Sequence, residues 1–99
     1  PEMVGRLRMP VALDRPAVPR SRPVSIRWAP ERLTGGLVVD VQRRRPGSGR
    51  FVAWRTGVTA AGITFHPAQR GNWAFRARVR QPGDGDASGW SPKTALRVT

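Results

Sequence analysis

The side chains that could do chemistry in this chain are few, and arginine dominates them. Lys and Arg number 18, all but Lys93 being Arg, against 6 acids, for a formal net charge of +12 over 99 residues. Such a charge creates a potential of several kT and attracts nucleic acid, acidic glycans or acidic protein surfaces. The plainer reading is a well-solvated, self-repelling surface. Arg43, Arg44, Arg45, Arg50 and Arg55, with the arginines at 76, 78 and 80, could form one continuous basic face. Polyanion binding there would be electrostatic and would weaken steeply with salt. Trp54 reads as an exposed stacking platform beside that face, with Trp90 as a second. No nucleic-acid motif accompanies them, so weak nonspecific polyanion binding is the expectation.

Groups for catalysis are scarce. His66 is the single histidine and precedes Pro67 at a strand end, where it reads as a surface or loop-capping residue. There is no Gly-x-Ser-x-Gly elbow, no cysteine and no glycine-rich loop opening a helix. The acids are Glu2, Asp14, Glu31, Asp40, Asp84 and Asp86, of which only the last two are close in sequence. Asp84-Gly85-Asp86 could touch a cation, but calcium takes about six to eight oxygens, and a tight turn is the better reading. The chain is therefore expected to be no enzyme, with no catalytic, cofactor or metal residue assigned. Without cysteine there is neither a disulfide nor a thiolate metal site. No apolar run is long enough to span a membrane, and no signal-peptide pattern opens the residues given. Pro1-Glu2 reads either as a cut within a longer protein or as a product trimmed of its initiator Met.

These side chains need strands to hold them. Residues 71–80 alternate strictly, with Trp73, Phe75, Ala77 and Val79 on one face and Ala74, Arg76, Arg78 and Arg80 on the other. That period of two marks a half-buried strand. Val24, Ile26 and Trp28 alternate up to Pro30, and Leu37, Val39 and Val41 form a third run. Pro46-Gly47-Ser48-Gly49 supplies a hairpin connection, with Phe51–Arg55 returning. Ile63 and Phe65 share a face before Pro67, and Leu96 and Val98 close the chain. Near the N-terminus Leu7, Met9, Val11 and Leu13 alternate, but Pro10 restricts that run to an edge. Residues 14–23 read as turn and linker, and 82–86 as a polar loop. No stretch has a 3.6-residue period with caps. Short strands separated by Gly and Pro predict an all-β, seven-stranded antiparallel sandwich. Its expected core is Ile26, Trp28, Val39, Val41, Ile63, Phe65, Trp73, Phe75, Val79, Leu96 and Val98.

Four short motifs resemble the fibronectin type III family, an immunoglobulin-like sandwich. They are Trp28-Ala29-Pro30, Phe65-His66-Pro67, Trp73-Ala74-Phe75-Arg76-Ala77-Arg78-Val79 and Ser88-Gly89-Trp90-Ser91-Pro92. The family's corner tyrosine is Trp73 here, and the Phe65-to-Trp73 spacing is two residues longer than usual. The resemblance implies a domain over residues 9–99 with an N-terminal arm at 1–8. Ser88-Gly89-Trp90-Ser91 is also similar to half of the Trp-Ser-x-Trp-Ser box of class I cytokine receptors. That likeness implies a structural ladder of Trp90 with Arg76, Arg78 and Arg80. Strict alternation puts Trp90 inward with Leu96 and Val98, and a bulge at Pro92 would turn it outward. Asp40 lies on the outward face of the strand expected beside the arginines and should neutralise one of them.

The function expected from this resemblance is a non-enzymatic docking module. Contact loops would be Glu31–Gly36, Gly57–Gly62 and Gln81–Gly89, and a partner strand could add at an edge. Partners would be proteins, either a larger particle or a neighbouring domain. A phage virion component, or a spacer in a secreted bacterial protein, fits that picture, while the charge alone keeps a polyanion-binding module open as a third class. The implied location is virion or extracellular.

Overall fold

The computed structural model describes residues 10–83 and 85–99. Its strands are β1 (Ala12–Leu13), β2 (Ala17–Val18), β3 (Val24–Arg27), β4 (Val38–Arg44), β5 (Val52–Val58), β6 (Gly62–Phe65), β7 (Gly71–Gln81), β8 (Asp86–Ala87) and β9 (Thr94–Val98). The fold is all-β, with no helix among the described residues. Two sheets pack together, one ordered β1-β3-β6 and the other β2-β9-β7-β4-β5, with β8 beside β7. The arm at residues 1–8 lies outside the described residues, as do Leu7, Met9 and Asp84.

The long strand β7 has the alternation of its sequence. Trp73, Phe75, Ala77 and Val79 are buried, while Arg76, Arg78 and Arg80 are half-buried on the other face. β4 pairs with it antiparallel, setting Asp40 opposite Arg78 and Gln42 opposite Arg76. Val39, Val41, Phe75 and Leu96 pack with Val24, Ile26 and Phe65 of the smaller sheet. Each large side chain buried this way stabilises the fold by about 1.5–3 kcal/mol. Ile63 packs only partly buried against this core. Val11, Val18 and Ala29, absent from the expected core, are buried.

Three features depart from the seven-stranded antiparallel expectation. Ala17–Val18, read as linker, is a strand and runs parallel to β9. Prolines flank it, but it is short enough to use the bonds left to it: Arg97 N–H donates to the Pro16 carbonyl and Thr99 N–H to the Val18 carbonyl. Burial of Val18 supplies the drive. Asp86–Ala87, read as loop, folds back on β7 at Gln81 and Arg80. β5 runs three residues beyond Arg55. Within β5, Gln42 faces Ala53 while Val41 faces Arg55, so Trp54 is the extra residue of a bulge.

Candidate functional site: the arginine face of the larger sheet

Asp40 stands at the centre of this face. Its Oδ2 accepts from Arg78 Nε at 3.0 Å and Arg80 Nε at 2.8 Å. Its Oδ1 accepts from Arg80 Nη2 and from the Gly57 backbone N–H, both at 3.0 Å. Arg80 thus grips the carboxylate with both arms of its fork. Burial opposes the charge on Asp40, but the bonds from Arg80, Gly57 and Arg78 outweigh it and hold its pKa at about 2. The same pairing raises the pKa of Arg80. Sequence reasoning assigned one arginine to Asp40; the structure brings two.

Beside this pair the face is an alternation of cations and rings. Arg78 lies 4.8 Å from the Trp90 ring centre and Arg76 lies 5.1 Å from it. Arg76 is also 4.3 Å from Phe51, which Arg44 meets at 5.3 Å. Gln42 Oε1 accepts from Arg76 Nε at 2.7 Å. Arg80 touches Asp40 rather than Trp90. Trp90 faces outward because the segment before β9 bonds to β7 through hydroxyls. Ser88 and Ser91 are buried, and their Oγ atoms accept from Val79 N–H and Ala77 N–H, each at 3.0 Å. Their own N–H groups donate to the carbonyls of the same two residues. Phe51 escaped the sequence reading. The hairpin register, with Arg43 opposite Val52, carries the signal, since one step further sets Arg44 against Phe51.

The expected single basic face is split. Arg44 belongs to the column just described, and Arg50 is exposed in the hairpin. Arg43 points to the other side, 5.6 Å from both the Trp54 and Trp73 rings. Arg55 lies 4.6 Å from Trp54 and donates to that residue's carbonyl at 3.0 Å. Trp54 itself is no free platform. It lies on the inward face with Val52, which stands opposite Arg43, and packs on Phe65 at 5.5 Å and Phe75 at 5.4 Å. Trp73 Nε1 donates to the Gln69 carbonyl at 3.0 Å. His66 is exposed beyond the end of β6. Of the expected contact loops, two meet, Leu33 N–H donating to the Thr59 carbonyl at 2.8 Å.

An all-β sandwich with a cationic sheet face is the class this geometry defines. No protein-family model and no curated protein matches the chain. Among solved structures it is similar to superoxide reductase (neelaredoxin) from Ignicoccus hospitalis, with a TM-score of 0.51 and 9% identity, covering 94% of this chain and 81% of that one. A point variant of the same reductase aligns over 100% of this chain and 92% of its own at 9% identity and a TM-score of 0.48.

The first of these likenesses is one of fold, and it corrects the reading from motifs. The solved neighbours are superoxide reductases, a different β fold from fibronectin type III. The Trp-x-Pro and Phe-x-Pro motifs mark where a buried strand stops, which many β-sandwiches require. They therefore did not report ancestry. The docking, virion and spacer readings rested on that family and fall with it, and the polyanion-module reading, which rested on charge alone, is displaced by the same likeness. The expectation of a non-enzyme is likewise overturned as a reading from motifs, since the solved structure this fold resembles is named a superoxide reductase. A redox metal does not fit the donors present. Among the described residues no group of three or more His, Cys, Asp or Glu could hold a metal ion, and the sequence holds 1 histidine and 0 cysteines. No described helix is long and apolar enough to cross a membrane.

Proposed function

We propose that this chain binds a small anion on its arginine-rich sheet, on a scaffold like that of superoxide reductase. The observation that carries the reading is the unequal sharing of acid across the sheet. Among the described residues, Arg78 and Arg80 pair with Asp40, while Arg43, Arg44, Arg45, Arg50 and Arg55 pair with no carboxylate. A guanidinium left without a carboxylate offers its fork to an oxygen-rich anion. The likeness of fold supports the same class of ligand, because the neighbour's name gives superoxide, itself a small anion, as what it acts on.

Titration calorimetry with phosphate, sulfate and nitrate at low ionic strength tests the reading. Saturable binding that weakens with salt is expected, and an absence of heat with every anion would sink it.

A further inference from the structure

Two groups of arginines share the larger sheet, and they differ in what surrounds them. The column Arg44–Phe51–Arg76–Trp90–Arg78 alternates cation and ring throughout and adjoins Gln42 and Asp40. Its charges have partners in place. The second group lies around Trp54. Arg43 is held between the Trp54 and Trp73 rings. Arg55 is held by the Trp54 ring and the Trp54 carbonyl. Arg45 leads into the hairpin turn, where its carbonyl accepts from Ser48 N–H at 3.0 Å. Trp54 is itself wedged against Phe65 and Phe75. Arg43 and Arg55 are therefore placed in advance, and no described carboxylate pairs with Arg43, Arg45 or Arg55.

We propose that Arg43 and Arg55, gathered around Trp54, with the exposed Arg45 two residues along from Arg43, form a site for a phosphate-type oxyanion, either free phosphate or a phosphate monoester. The proposal rests on the small-anion reading and gives that reading an address. Each planar guanidinium can donate two parallel hydrogen bonds to a tetrahedral oxyanion, and the rings beside Arg43 and Arg55 fix the direction of those two. Loss of water and the nearby charges of Arg45 and Arg55 push the Arg43 pKa down. An arriving dianion relieves that repulsion. Trp54 adds an edge on which the organic part of an ester can rest.

The experiment is calorimetry and tryptophan fluorescence of the whole chain with inorganic phosphate and, in a second arm, phenyl phosphate. Variants are Arg43→Gln, Arg55→Gln and Arg55→Lys, with Arg97→Gln as control. Arg97 is exposed on β9, three strands away from β5 in the sheet order, and its loss removes the same charge. Binding of one phosphate per chain is expected. Arg43→Gln and Arg55→Gln should weaken it about tenfold, the loss of one charge-assisted hydrogen-bonded contact. Arg97→Gln should leave it nearly unchanged. Arg55→Lys keeps the charge, loses the fork and sits at an exposed position, so it carries the test if Arg43→Gln unfolds; it too should weaken binding. Tighter binding of phenyl phosphate would assign an ester, and equal binding would assign free phosphate. Equal weakening by Arg97→Gln and Arg55→Gln would overturn the site while leaving the small-anion reading intact. Failure of every anion to bind would overturn both.

Discussion

Replacing Asp40 by Asn removes the negative charge at the centre of the arginine face while keeping its shape. The Asp40 side chain is 7% exposed and bonds to Arg78, Arg80 and the Gly57 N–H. Its pKa falls from 3.8 to about 2 on folding. At about 1.4 kcal/mol per pKa unit, the carboxylate stabilises the fold by about 2 kcal/mol near neutral pH. Because the folded-state pKa is the lower one, that stability is present above the unfolded value and is lost as pH falls through the folded value. The wild type should therefore exceed Asp40→Asn by about 2 kcal/mol near pH 7, or about 10 °C in Tm for a domain of this size. The difference should shrink between about pH 4 and pH 2 and be nearly gone below it. Urea unfolding followed by tryptophan fluorescence across that range measures it. A difference that does not vary with pH, or that is below about 0.5 kcal/mol near neutrality, would refute the reasoning. Either result would show that the carboxylate's partners do not favour its charge.

Other perturbations test the surroundings of this face. Ser91→Ala and Ser88→Ala each leave a buried β7 amide without its acceptor, and each should cost about 1–3 kcal/mol in denaturant unfolding. Trp90→Ala removes two guanidinium–ring contacts; a loss of about 1–2 kcal/mol is expected, and no measurable loss would show that the stack contributes nothing to stability. Gly62→Ala would drive a Cβ into the Ile26 carbonyl, on the paired strand β3. It should destabilise by about 1–3 kcal/mol through overpacking, visible as a lower Tm.

Much of the larger sheet could be read from period two alone. β7 and β4 have alternations that leave one register for burial, since a slip by one residue would put Trp73 and Phe75 in water. That register places Asp40 among the arginines without any further information. Local chemistry also announced the hairpin, because Pro46-Gly47 needs a positive φ that glycine takes freely, and Gly47 has φ of 78°.

What escaped the sequence depends on contacts between distant segments. β2 has no pattern of its own; two residues become a strand because the end of β9 offers free backbone groups and the core accepts Val18. Trp54 looks exposed in a short amphipathic run, yet the register of β5 on β4 sets it against Phe65 and Phe75. The motif matches failed as a guide to family for a related reason. They encode strand ends, which many sandwiches share, whereas the arrangement of whole sheets distinguishes one from another. The amino-acid order by itself therefore determined an all-β chain, the faces of its long strands and the excess of arginine. Only the tertiary structure decided which arginines meet Asp40, which meet rings, and which stand together around Trp54. Local alternation fixes the side of a sheet a residue faces, while bulges and pairings remote in sequence fix its neighbours.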